Sequence, residues 1–257
     1  SLIAAVKERQ RHHRTPVVKS AAYQRQVFTK EMKYSHTIIG PQMSPIHFKL
    51  LQKAFQYCGY NFVILDAVDP KAVEAGLKYV NNDACYPSIL VAGQMIAALE
   101  SGKYDINKVS LIITQTGGGC RATNYIGFIR RALNDAGWGQ VPVLSLSAQG
   151  FEKNPGFKIT PVLLHRLVMG IMVGDLLMRV LYRTRPYEAV PGSADALYEK
   201  WNARAEKQLK SLSVSGYHKL MKGIVKDFDE LPLKPIKKPR VGVVGEILVK
   251  FHPTANN

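Results

Sequence analysis

Two cysteines stand where a thiol could do chemistry. The segment Gln115-Thr-Gly-Gly-Gly-Cys-Arg-Ala-Thr-Asn124 lies between a strand-like run and a helical pattern. Its three successive glycines, Gly117, Gly118 and Gly119, let the backbone take positive φ and approach a ligand closely. The helix start that follows supplies free N–H groups and partial positive charge. Cys120 stands at that point with Arg121 beside it, and both surroundings favour the thiolate that a metal cluster or a nucleophilic mechanism needs. Cys85 repeats the arrangement: it follows Asn81-Asn82-Asp83-Ala84 and precedes Tyr86-Pro87, which opens a helix. A helix over 87–100 that runs back along a sheet to a strand at 109 starts on the same edge as Cys120, so topology lets the two thiols converge.

The bland readings stand beside these. Cys85 and Cys120 form neither a compact ferredoxin run nor a paired CxxC zinc site, so packing roles remain open for both. The glycine run also reads as a phosphate or anion loop, although it matches neither GxxxxGK[ST] nor GxGxxG. Cys58 lies on the apolar stripe of its helix and is expected to be a small core residue. His12, His13, His36, His47, His165, His218 and His252 show no metal-ligand spacing. Asp66 ends a strand but no dinucleotide fingerprint precedes it, and Glu246 ends another strand where it could face a ligand or solvent.

These residues need a scaffold with strand ends and helix starts on one edge. His36–Gly40 is a short β-rich run. Ser44-Pro45 offers an N-cap with proline at the first helical position, and Gly59 is a natural stop. Residues 61–65 (NFVIL) and 109–114 (VSLIIT) are continuous apolar runs, as expected for strands covered on both faces. A helix from Asp69-Pro70 and one over 87–100 lie between them. A helix over 122–136 and a strand over 141–146 follow. Strand–helix alternation predicts an α/β fold, a Rossmann- or flavodoxin-like doubly wound parallel sheet. The expected divisions are a basic segment at 1–35, an α/β domain at 36–155 and a helical segment at 156–230. A Pro-rich connector over 231–239 then leads to the first strand of a second α/β layer, within 231–257.

Composition bounds the rest. Lys and Arg number 35 against 19 Asp and Glu, a net charge of +16 that favours anionic partners. No recognition motif accompanies that charge, so nucleic acid is not expected. Three distant cysteines do not make a disulfide framework. The apolar stretch around 163–181 carries His165, Arg166, Asp175 and Arg179, which argues against a membrane span. No segment reads as a secretory signal, and the expected location is the cytoplasm. The sequence starts without Met and ends just after a strand-like segment begins, which reads as a piece of a longer protein.

Several segments in order resemble the central, non-ATPase region of the large 2-hydroxyacyl-CoA dehydratase activase-like proteins, also called CoA-substrate-specific enzyme activases. The carrying segments are FTKEMKYSHTI at 28–38, GLKYVNNDACYP at 76–87 and ITQTGGGCRATNY at 113–125. EKNPGFKIT at 152–160, GDLLMRVLYRTRPYE at 174–188 and RVGVVGEILVKFHPTANN at 240–257 continue the series. The resemblance implies an oxygen-sensitive anaerobic system in which an ATP-hydrolysing component passes a low-potential electron to a dehydratase-type partner. It implies a [4Fe-4S] or related iron–sulfur cluster whose matching ligands here are Cys85 and Cys120. A third thiolate would come from a second α/β layer, another subunit or Cys58. Gly117 to Gly119 would donate N–H groups to the cluster sulfides, Arg121 would offset its charge, and Asn82, Asp83 and Asn124 would shape its edge. The phosphate loop of the activase ATPase is absent, so no ATPase activity is expected of this chain. The implied partners are an ATPase activase domain, a dehydratase-like subunit and an acidic electron carrier. Two other functions stay open: an acyl-CoA or phosphate-ligand module built on the glycine loop, and a scaffold segment carried by the long helical stretch.

Overall fold

The computed structural model describes residues 25–66, 70–81, 84–115, 121–147 and 152–239, with positions 241, 242, 244, 245 and 250 beyond them. The side chains at 121 and 122 are outside that description.

Four parallel strands form one sheet: β1 (Thr37–Gly40), β2 (Phe62–Ile64), β3 (Val109–Gln115) and β4 (Val143–Ser147). Their spatial order is β2-β1-β3-β4. Register pairs Ile39 with Leu111 and Leu111 with Val143, so these three side chains share one face. Ile38, Phe62, Ile112 and Leu144 share the other. Both faces are apolar because both are covered, which is why these strands read as continuous rather than alternating runs.

One face is covered by α3 (Pro70–Tyr79), α4 (Tyr86–Glu100) and α5 (Tyr125–Asp135). α4 lies between the sheet and its neighbours and is buried almost all round. The other face is covered by α2 (Pro45–Gln56), by Phe28 and Phe157, and by the start of α6 (Pro161–Thr184). A short helix, α1 (Met32–Ser35), precedes β1. Right-handed crossovers account for this distribution: the step from β1 to β2 runs one way and puts α2 on one face. The steps to β3 and β4 run the other way and put α4 and α5 opposite. The fold is therefore doubly wound, as the strand–helix alternation predicts.

α2 is sandwiched. Phe55 faces the sheet, while Ile46 and Leu50 join a second core with α6, α7 (Ser193–Gln208) and α8 (Val214–Asp229). Tyr217, Ile224 and Phe228 from α8 and Trp201 and Ala205 from α7 complete that core. Arg166 fastens its near end. Its guanidinium donates to the carbonyls of Tyr57, Leu209 and Lys210 at 2.9, 2.9 and 3.2 Å, where α2 and α7 have just ended. Past α8, the Pro-rich connector folds back: Leu233 bridges Glu188, and Lys234 N–H donates to the Tyr187 carbonyl at 2.7 Å. Most of the expected second-layer strand, including Glu246, lies outside the described residues.

Candidate functional site at the carboxyl edge of the sheet

In the order β2-β1-β3-β4 the connections leave β1 and β3 in opposite directions. Their carboxyl ends therefore flank the crevice where open α/β sheets hold ligands. The loop after β1 runs through Pro41, Gln42 and Met43 to Ser44. Its path is fixed by amides: Gln42 N–H donates to Gln94 Oε1 at 3.0 Å, and Ser44 N–H donates to Gln42 Oε1 at 3.2 Å. Gln42 and Gln94 are both buried. After β3, Gln115 accepts a short hydrogen bond from the Ser145 hydroxyl and donates through Nε2 to the Thr123 carbonyl at 2.7 Å. The latter bond spans the glycine loop from one end to the other. It also accompanies a single 3-10 turn, Arg121–Asn124, where an α-helix from 122 is expected; α5 starts only at Tyr125.

Cys85 is the N-cap residue of α4 and makes no side-chain cap bond. It is half-buried, and its Sγ lies 3.4 Å from the hydroxyl of Tyr125, the first residue of α5. The starts of α4 and α5 are thus neighbours on the carboxyl edge. Asn124 caps α5 without a side-chain bond and is exposed. Asn82, Asp83, Gly117, Gly118, Gly119 and Cys120 lie outside the described residues, as does the side chain of Arg121.

Cys58 belongs elsewhere. α2 starts at the carboxyl edge and runs back, so the turn after Gln56 puts Cys58 at the amino edge of the sheet, away from Cys85. It is half-buried against the core and accepts a hydrogen bond from Arg166 Nη1 at 3.1 Å. Asp66 lines a separate cleft of about 270 Å³ with Lys103, Tyr104 and Gln94. Burial, reinforced by the nearby Asp66 charge, raises the Tyr104 pKa above the usual phenol value. His36 is buried, and burial lowers its pKa, with Asp105 acting weakly the other way.

A second group of side chains on this edge is one the sequence pattern does not single out. Ser44 Oγ lies 2.9 Å from His47 Nδ1, and His47 Nε2 lies 2.9 Å from Asp175 Oδ1 on α6. Gly174 admits the imidazole, since a Cβ there would stand 2.7 Å from His47 Cδ2. A serine three residues before a histidine at a helix start is the only sequence signal, and Asp175 is 128 positions from His47.

Among the described residues no group of three or more His, Cys, Asp or Glu side chains could hold a metal ion. The fold and site define a doubly wound α/β protein with a thiol and a hydroxyl–imidazole–carboxylate chain at the switch-point edge. Comparison with family models, with characterised proteins and with solved structures finds no match to this chain.

Proposed function

We propose that the chain is an iron–sulfur redox module of a 2-hydroxyacyl-CoA dehydratase/activase-type system, without ATPase activity of its own. One observation carries this reading: Cys85 caps a helix at the carboxyl edge, spends no bond on the cap, and meets the first residue of the helix that follows the glycine–cysteine loop. The donor set fits a cluster in part. Cys85 is the one thiol that the described residues bring to this edge; Cys120 is the second by sequence; Cys58 is on the opposite edge. Clusters take three or four thiolates in the usual case. The chain therefore supplies a partial ligand set, and a partner chain or a further layer completes it.

A cluster held there supplies one-electron transfer. The chain's own residues do the rest. Tyr125 is placed to donate its hydroxyl proton toward the Cys85 sulfur and steady negative charge on it. The Gln115 amide ties the two ends of the glycine loop together. The net charge of +16 favours an acidic electron carrier at the surface. The test is iron and acid-labile sulfide content with EPR of the reduced sample, on protein made anaerobically together with its partner. Loss of the signal in both Cys85→Ser and Cys120→Ser supports the reading; a wild-type preparation with no iron refutes it.

A second reading, a scaffold segment, is favoured by α6. Leu164, Val168, Ile171 and Met172 are exposed along one side of that helix. An 18-residue window within it has a mean hydropathy of 1.6. Its other side packs through Leu163, Val173, Leu177 and Leu181. Sedimentation that shows concentration-dependent association, abolished by Ile171→Asp, is the result this reading expects; association unaffected by the substitution removes it.

A further inference from the structure

We propose that Ser44, His47 and Asp175 form a nucleophilic relay that accepts a small acyl group from a carboxylic ester or thioester. Ser44 ends the loop that follows β1, at the switch-point edge where open α/β sheets hold ligands, and caps the start of α2. It is the N-cap residue, yet its hydroxyl makes no bond to the backbone N–H groups of the first turn. A capping serine normally makes that bond. Here the hydroxyl is turned to the imidazole at 2.9 Å instead.

The tautomer follows from the partners. Asp175 is a carboxylate and can only accept, so the proton of neutral His47 is on Nε2 and Nδ1 is the acceptor facing Ser44 Oγ. That is the orientation a general base needs, with the carboxylate steadying the imidazolium that forms. His47 is well shielded, its side chain only 14% exposed, and Gly174 leaves room for it. The N–H groups of Ile46 and His47 lie in the first turn of α2, where no carbonyl four residues back is available to them. They are the natural donors for an oxyanion developing beside Ser44. Met43 and Phe48, the chain neighbours of Ser44 and His47, line an apolar cavity of about 60 Å³ that also meets Gly40, Pro41 and Leu51, though the relay side chains do not themselves line it. A cavity of that size suits a short acyl chain.

The step balances without an added oxidant or reductant. Ser44 Oγ bonds to the carbonyl carbon, its proton passes to His47 Nδ1, and the carbonyl electron pair moves onto oxygen. Collapse breaks the bond to the leaving alkoxide or thiolate, which takes the proton from His47. Water then repeats the sequence, releasing the carboxylic acid and restoring the hydroxyl of Ser44.

The experiment uses the full chain with a fluorophosphonate probe and with p-nitrophenyl acetate. The expected result is one equivalent of phosphonyl label on Ser44 by peptide mass spectrometry, with slow release of p-nitrophenol. Ser44→Ala abolishes both. Asp175→Asn, at a side chain 66% exposed and so at little cost to the fold, slows labelling by about 10-fold or more, less than at a buried triad carboxylate. Folded wild-type protein left unlabelled at Ser44, or labelled equally fast in His47→Gln, overturns the proposal. Neither outcome depends on a bound cluster.

Discussion

Substituting Gly93 with alanine should destabilise the protein by filling the close approach between α3 and α4. A Cβ on Gly93 would stand 2.8 Å from the carbonyl carbon of Ala72 and 2.9 Å from Gly76 N, in contact with backbone and not with a side chain that can turn away. Gly76 is the reciprocal position, with a Cβ 2.7 Å from Ile89 Cγ2. Carbon atoms rest at about 3.5–4.0 Å, so α3 and α4 would have to part by roughly 1 Å. Overpacking of this kind, which also drives the Cβ into the Ala72 carbonyl oxygen, costs about 2–3 kcal/mol, the upper part of the usual range. Alanine's better helix propensity returns up to about 1 kcal/mol. A net loss of about 1–2 kcal/mol remains, lowering the urea midpoint by about 0.5–1 M at a typical m of about 2 kcal/mol/M. Gly127 on α5 is the control, because a Cβ there meets nothing within 4 Å. Gly127→Ala should raise the midpoint by a few tenths molar on propensity alone. A Gly93→Ala protein as stable as wild type, with m unchanged, would refute the close-approach argument. The consequence reaches the site, because the segment joining α3 to α4 delivers Cys85 to the edge.

Two further expectations follow. Burial would raise the Glu152 pKa, but Arg130, at 2.9 Å, and Arg25, at 3.3 Å, outweigh it and hold the carboxyl below its ordinary value. Its contribution is therefore present above the unfolded pKa of about 4.3 and lost as pH falls through the lower folded value. Glu152→Gln should be about 1–2 kcal/mol less stable at pH 7, with the difference vanishing toward pH 3 in thermal melts; an offset constant across pH contradicts this. Arg166→Met removes the donor to Tyr57, Cys58, Leu209 and Lys210 and should cost about 2–3 kcal/mol in urea unfolding. Lysine cannot restore a planar fork, so Arg166→Lys should recover little; full recovery would count against the clamp.

Local chemistry decides much of what can be read from the chain alone. Unbroken apolar runs such as residues 109–114 announce strands covered on both faces. Pro45, Pro70, Pro87 and Pro161 open helices, and Gly59, Gly102 and Gly137 close them at φ of 80°, 71° and 79°. The thiol at a helix start was legible for the same reason, since Cys85-Tyr86-Pro87 states its own position. What tertiary structure alone decides is which of these ends meet. The strand order β2-β1-β3-β4 sends Cys58 to the amino edge and Cys85 to the carboxyl edge, although both follow or precede helices in the same way. The contact of Cys85 with Tyr125 spans 40 positions and that of His47 with Asp175 spans 128. No periodicity records such pairs, because they depend on how α2, α4, α5 and α6 pack against a shared sheet. Propensity and capping act within a few residues; the convergence of side chains at an edge is a property of the packed layers.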